Sequence, residues 1–437
     1  MAMMRAFLLL LLTALPLRAE IAIQQVTSPA GVRAWLVQDP SIPFVAVELR
    51  FRGGTSLDAP GKRGAVNLMT ALIEEGAGEL DAQGFAVARD GLAASFRFDS
   101  NRDSVSVSAR MLTENRDQAV ALLAQALAAP RFDADAVDRV RGQVLAGIAS
   151  SDKDPGDLAD RAFDRLAWGD DHPYGSPGSG TADSVAALTR DDILAAHGAA
   201  LARDRVYVGA VGDITPEDLG AVIDTLLAGL PETGAPVPPR AEFRLSGGVT
   251  VEPFPVPQST VRFGHEGMKR DDPDFFAAFL INEMLGGGRF SARLMTEVRE
   301  KRGLTYGIGT WLAPMDLGET VMGQFASDNA RVAEAIEVVR AEWQRLAEEG
   351  VPEADLEAAK TFQTGNYPLR FDGNANIARI LVGMQMQDLP IDYVQNRNAY
   401  IEAVTVEDIR RVASRLLRAD DLHFVVVGQP EGLGPAN

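Results

Sequence analysis

Hydrophobic and polar positions alternate over Phe44–Phe51, where Val45, Val47, Leu49 and Phe51 share one side. A period of two marks a strand with one face in a core, so a strand is predicted here. A Gly-rich turn follows, and the spacing changes to a helical period from about Arg63 to Glu75. Further along, Thr260–Phe263 is again strand-like. Phe276, Phe279, Leu280 and Met284 then form an i, i+3, i+4, i+8 stripe, the core face of a helix. Asp272-Pro273 precedes that stripe as its expected start, with Pro at the first helical position. Alanine-rich amphipathic helices are predicted within 111–150 and 329–365.

These patterns occur twice. Leu188-Thr-Arg-Asp-Asp-Ile193, a helical run, and Arg205-Val-Tyr-Val-Gly-Ala-Val-Gly212 return as Val404-Thr-Val-Glu-Asp-Ile409, a helical run, and Leu422-His-Phe-Val-Val-Val-Gly428. Thr189 and Thr405, Ile193 and Ile409, and Gly212 and Gly428 are each 216 positions apart. In both copies Thr suits the helix N-cap, and acids follow in the first turn, where the helix dipole favours them. Such internal similarity implies two related units. Pro231–Pro239 divides them as a semi-rigid connector, because its prolines stop helix and disfavour central strand. The expected organisation is an N-terminal leader at 1–19, a first domain at 20–230, a linker at 231–240 and a second domain at 241–437. The fold class is α+β: two homologous domains, each a largely antiparallel sheet with helices packed on one face.

Composition narrows the chemistry. Among 437 residues there is no Cys and there are four His, with 42 Lys+Arg against 61 Asp+Glu and a net charge of −19. Disulfides, thiolate metal sites and a Cys nucleophile are excluded. The acidic balance argues against nucleic acid as a partner. Residues 1–19 combine Arg5, a short apolar run from Phe7, the break at Pro16 and a small residue at Ala19, the layout of a secretory signal peptide. Its removal takes Arg5 and Arg18 away, leaving a charge of −21. No later stretch is apolar for long enough to make a stable membrane span, so a periplasmic protein is expected.

Residues 285–306 read LGGGRFSARLMTEVREKRGLTY: three glycines after a helix, a second helix to about Lys301, a stop at Gly303, and a strand with Tyr306, Ile308 and Thr310 on one side. This string resembles the second-domain signature of the M16 (insulinase, or pitrilysin-like) metallopeptidases, and the likeness extends over essentially the whole chain after the leader. The resemblance implies that Arg299 and Tyr306, seven positions apart, reach the active site from the second domain. A guanidinium and a phenol aimed at the scissile carbonyl would stabilise the charge that hydrolysis develops there. Gly286, Gly287 and Gly288 lack side chains and would let a peptide approach the backbone closely.

Active members of that family carry H-x-x-E-H on the first helix of the first domain. Two His at i and i+4 bind zinc, and the Glu activates the bound water. Here Asn67 stands at the first His, Thr70 at the Glu and Ala71 at the second His; Gly147 (or Ala146, if the register slips) stands where a later helix supplies the third ligand. None offers an adequate ligand or base, and Glu74 and Glu75 have no nearby His. Of the four His, His172 lies in a turn, His197 on a helix, His265 at the start of a loop and His423 at the start of a strand. No two fall within five residues of each other, and no metal is expected in this chain.

The resemblance therefore implies the zinc-less subunit of a heterodimeric M16 peptidase. The H-x-x-E-H-bearing partner would hold the zinc, and this chain would present Arg299 and Tyr306 to the peptide substrate. The alternative is a structural or peptide-binding homologue with no part in catalysis.

Overall fold

A computed structural model describes residues 21–433. The leader expected at 1–19 lies outside the described residues. The first half supplies strands β1 (Gln24–Thr27), β2 (Arg33–Gln38), β3 (Phe44–Arg52), a two-residue ribbon of β4 (Gly76–Ala77) and β5 (Leu80–Asp81), then β6 (Ser95–Ser100), β7 (Ser104–Leu112) and β8 (Val206–Gly212). The second half supplies β9 (Gly248–Pro253), β10 (Gln258–Glu266), β11 (Ile308–Pro314), β12 (Glu319–Asp328) and β13 (His423–Gly428).

The first sheet has the order β1-β2-β8-β3-β7-β6 and the second β11-β12-β10-β13-β9. Five strands correspond in sequence: β2-β8-β3-β7-β6 with β9-β13-β10-β12-β11. In each sheet one pair is parallel, β2 with β8 and β9 with β13, and the remainder are antiparallel. The repeat read from the sequence is thus a repeat of topology. Both marker threonines close reciprocal capping boxes. The Asp192 N–H donates to Thr189 Oγ1 at 3.2 Å and the Asp408 N–H to Thr405 Oγ1 at 3.1 Å, while each Thr N–H donates back to the Asp carboxylate.

Each sheet carries its own helices on one face. In the first half Ala65–Leu72, Arg116–Ala128, Arg190–Ala200 and Pro216–Leu227 pack over Val45, Val47, Leu49 and Phe51. In the second, Phe275–Gly286, Val332–Glu349 and Val406–Leu416 pack over Val261 and Phe263. The opposite faces are covered reciprocally. Helix Pro155–Trp168 lies on the second sheet, where Ala159, Phe163 and Trp168 meet Val425 and Val427. Helix Asn374–Met386 lies on the first, where Ala378, Leu381 and Met384 meet Ala46 and Val211. Gly209 permits this approach, since a Cβ there would stand 2.7 Å from the Ala378 carbonyl oxygen. The exchange buries Glu48 on the face that alternation leaves polar; its carboxylate accepts from Ser108 at 2.5 Å and Arg50 at 3.2 Å.

Several boundaries differ from the sequence expectation. The helix expected from Arg63 to Glu75 is confined to Ala65–Leu72, because Gly64 is left-handed and Asp58 caps the N–H groups of Gly64 and Val66 at 2.7 and 2.8 Å. The second-half helix starts at Phe275 rather than at Pro273, with Asp272 accepting from the Asp274 N–H. His265 does not begin a loop: it lies inside β10, buried.

Candidate functional site

The two elements expected to carry chemistry are both present, in opposite condition. In the first half, Ala65–Leu72 packs on Ala134–Ser151 and on β6. Val66, Leu68, Met69 and Leu72 fill the core. Asn67 and Ala71 share the less buried side, with Asn67 Nδ2 at 3.4 Å from Ser100 Oγ and Ala71 exposed. Thr70 is buried, and its hydroxyl donates to the Val66 carbonyl at 2.7 Å. Gly147 is exposed on Ala134–Ser151, and a Cβ there would meet nothing within 4 Å. The acids beyond the helix are spoken for. Glu74 pairs with Arg89 at 3.0 Å, and Glu75 takes Arg139 through two bonds of 2.9 and 2.7 Å. An amide, a hydroxyl bonded to its own helix, a methyl group and a glycine do not fit a zinc ion. Among the described residues no cluster of three or more His, Cys, Asp or Glu could hold a metal.

The four histidines have structural duties. His265 accepts from Trp343 Nε1 at 3.1 Å through Nε2 and donates to the Glu266 carbonyl at 2.7 Å through Nδ1; burial pushes it down to about 4, so it is neutral. His197 donates to the Leu127 carbonyl at 2.8 Å, and burial lowers it as well. His172 bridges Tyr174 and the Pro239 carbonyl, and His423 bridges Gly247 and Thr250.

In the second half the glycine run closes helix Phe275–Gly286. Gly286 is buried, and a Cβ on it would stand 2.6 Å from Thr310 Oγ1, so its missing side chain admits β11 rather than a peptide. Gly287 is the C-cap, and a Cβ on it would stand 2.6 Å from the Glu283 carboxylate. Gly288 is exposed with φ +91, a conformation that favours glycine, and has open space around it.

The segment expected as an α-helix to Lys301 is a π-helix over Met295–Glu300, stopped by the left-handed Gly303. Such widened turns recur at functional sites. Met295 and Val298 point into the core, and Arg299 follows them outward. β11 begins at Ile308, so Tyr306 precedes the strand instead of sharing its face. The tyrosine is 94 % exposed. The Arg299 guanidinium lies between two rings, 5.1 Å from the centre of Phe290 and 5.9 Å from that of Tyr306. The neighbouring Glu297 is occupied by Lys301 and Arg302, and among the described residues Arg299 forms no ion pair. Phe290, 68 % exposed, is not among the residues the sequence singles out; its signal is an aromatic two positions beyond the glycine run. Stacking holds a cation without neutralising it. The result is an unpaired guanidinium and a phenol presented to the surface together, able to donate to a carbonyl oxygen or a carboxylate.

The chain as a whole is similar to known proteins. A model of the insulinase family (peptidase family M16) matches residues 33–175, and a model of the peptidase M16 inactive domain matches residues 187–362. The chain is 24 % identical over 426 residues to a non-peptidase homologue from Helicobacter pylori, covering 97 % of this chain and 98 % of that protein. It is 27 % identical to an uncharacterised zinc protease from Streptomyces coelicolor, covering 90 % of this chain and 87 % of that one. Among solved structures, a peptidase M16 inactive domain from Pseudomonas fluorescens superposes with a TM-score of 0.88 at 29 % identity, covering 95 % of this chain and 100 % of the other.

Proposed function

The chain belongs to the M16 (insulinase) peptidase family as a homologue of the inactive type, and on that premise we propose that it is the zinc-less subunit of a heterodimeric M16 peptidase. Its partner is an M16 chain that carries H-x-x-E-H and supplies the zinc and the activated water. This chain supplies Arg299 and Tyr306, which donate hydrogen bonds to the substrate carbonyl and stabilise the negative charge developing on its oxygen. The observation carrying the proposal is the contrast at the two sites. The ligand positions hold Asn67, Thr70, Ala71 and Gly147, while the half-buried Arg299 stacks beside the exposed Tyr306 and has no counter-ion among the described residues. Under this reading the pair works in the periplasm, which the signal-peptide-like layout of residues 1–19 supports.

The test is co-expression with an H-x-x-E-H-bearing M16 chain from the same genome, followed by co-purification, zinc analysis and peptide hydrolysis. The complex is expected to cleave peptides with zinc in the partner alone, and the isolated chain to hold no stoichiometric zinc and to be inactive. Stoichiometric zinc with robust activity in the isolated chain would overturn the reading. A complex whose activity is indifferent to Arg299→Ala would instead assign this chain a structural role.

A further inference from the structure

A second feature lies apart from Arg299 and Tyr306. Helix Phe275–Gly286, strand β11, helix Asn374–Met386 and helix Tyr393–Glu402 enclose a cavity of about 530 Å³ whose lining is aromatic and cationic. Three arginines, Arg270, Arg370 and Arg397, line it, and no acid does. In a chain of net charge −19, where most arginines sit in ion pairs, an acid-free cavity with three cations is unusual.

The arginines are held by rings and carbonyls instead of carboxylates. Arg270 lies 4.2 Å from the centre of the Phe275 ring and donates to the Tyr393 hydroxyl at 2.8 Å. Arg397, 4 % exposed, lies 4.3 Å over the Tyr367 ring and donates to the Gln363 carbonyl at 3.0 Å. Arg370 is exposed at the rim. None of the three forms an ion pair among the described residues, and a buried guanidinium without a counter-charge is costly. Asn282, also in the lining, leaves its buried Oδ1 without a donor. The cavity therefore lacks carboxylates for the cations, a backbone N–H for Asn282, and an apolar group for the aromatic wall.

We propose that this cavity binds an acidic peptide segment carrying an aromatic side chain. The arginines take the carboxylates, and the aromatic wall takes the ring. The unpaired Asn282 oxygen favours a peptide over other aromatic anions, because a backbone N–H satisfies it. This inference does not rest on a catalytic partner and is tested on the full chain alone.

The experiment is calorimetric titration with acetylated, amidated Gly-Asp-Phe-Asp-Gly and with its neutral counterpart Gly-Asn-Phe-Asn-Gly. Tryptophan emission is followed in parallel, since Trp311 lines the cavity while Trp35, Trp168 and Trp343 are buried. The acidic peptide is expected to bind saturably and the neutral one at least about tenfold more weakly. Arg370→Gln, at an exposed position, and Arg270→Gln are each expected to weaken the acidic peptide by about five- to tenfold. Arg110→Gln, on a different cavity, should leave it unchanged. Absence of saturable binding, equal binding of the two peptides, indifference to Arg370→Gln and Arg270→Gln, or tighter binding of AMP than of the acidic peptide would each overturn the proposal.

Discussion

Helix Ala65–Leu72 follows β3 in the first half, and the segment 286–306 in the second comes after that helix's counterpart, Phe275–Gly286, which follows β10; the side chains of the two regions are put to opposite uses. The first keeps everything a helix needs to pack: a buried cap from Asp58 and the apolar row Val66, Leu68, Met69 and Leu72. At its chemical positions it has an amide, a self-bonded hydroxyl and a methyl group. The second keeps polar groups with no packing duty, a stacked guanidinium and a phenol in solvent. Positions that do chemistry contribute little to stability, so one site can be emptied while the fold around it stays intact. Exposed polar groups that no packing requires point to a demand from outside the chain.

The sharpest way to break this comparison is to remove one chemical residue from each half. In a reconstituted complex, Arg299→Ala is expected to lower kcat/KM about 10²–10³-fold, roughly 3–4 kcal/mol, while Asn67→Ala leaves it unchanged. Both variants should melt with the parent. Equal losses, or none, in peptide-hydrolysis assays would dissolve the distinction between an emptied site and a retained one.

Next in size is a pair of glycines. Gly286→Val forces a side chain against Thr310, where even a Cβ stands 2.6 Å from Oγ1, and should cost about 2–3 kcal/mol in urea denaturation. Gly147→Ala, mid-helix with nothing within 4 Å, should stabilise by about 0.5–1 kcal/mol. A penalty at Gly147 would mean that the emptied pocket is more tightly filled than its geometry implies.

A smaller effect concerns pH. Burial pushes Asp58, under the first-half helix, up to about 6. Burial beside Asp103 pushes Asp316, at the seam between the halves, up to about 6. Both bind a proton more tightly folded than unfolded, where an aspartate sits near about 3.9. Their ionised forms therefore weaken the fold at neutral pH. Stability should rise as pH falls from about 7 to 5, by about 1 kcal/mol per group after solvent screening, and level off near about pH 4. Urea titrations across this range check it, and Asp316→Asn should flatten part of the slope.

The smallest difference is one expected to vanish. Thr189→Ala and Thr405→Ala each open a capping box of the same geometry and should cost the same, about 1 kcal/mol. Unequal costs would show that the repeat has diverged in energetics where it has not in structure.

Much of this was legible along the chain. The period-two pattern of β3, the 216-residue offset and the capping threonines depend on neighbours within a few positions, and local stereochemistry decides them. The reading of Asn67, Thr70 and Ala71 as positions without zinc ligands came from the resemblance to the family's H-x-x-E-H helix and not from local stereochemistry. Other features were not. Phe290 meets Arg299 nine positions on, across the turn that leads into the π-helix. Gly286 serves Thr310, twenty-four positions away, a contact no local pattern announces. His265, placed at a loop start by its surroundings, pairs with Trp343 across the second core.

By itself the sequence determined that there are two related α+β units, that the first lacks zinc donors, and that an arginine and a tyrosine persist in the second. Covalent spacing and side-chain chemistry suffice for the first of these, and the other two are read through the sequence's resemblance to the family. The tertiary structure alone decided that helices Pro155–Trp168 and Asn374–Met386 cross to cover each other's sheets, that Arg299 is held by rings instead of a carboxylate, and that Arg270, Arg370 and Arg397 meet in one cavity. Those outcomes depend on which surfaces distant segments bury together, and burial is a property of the packed chain.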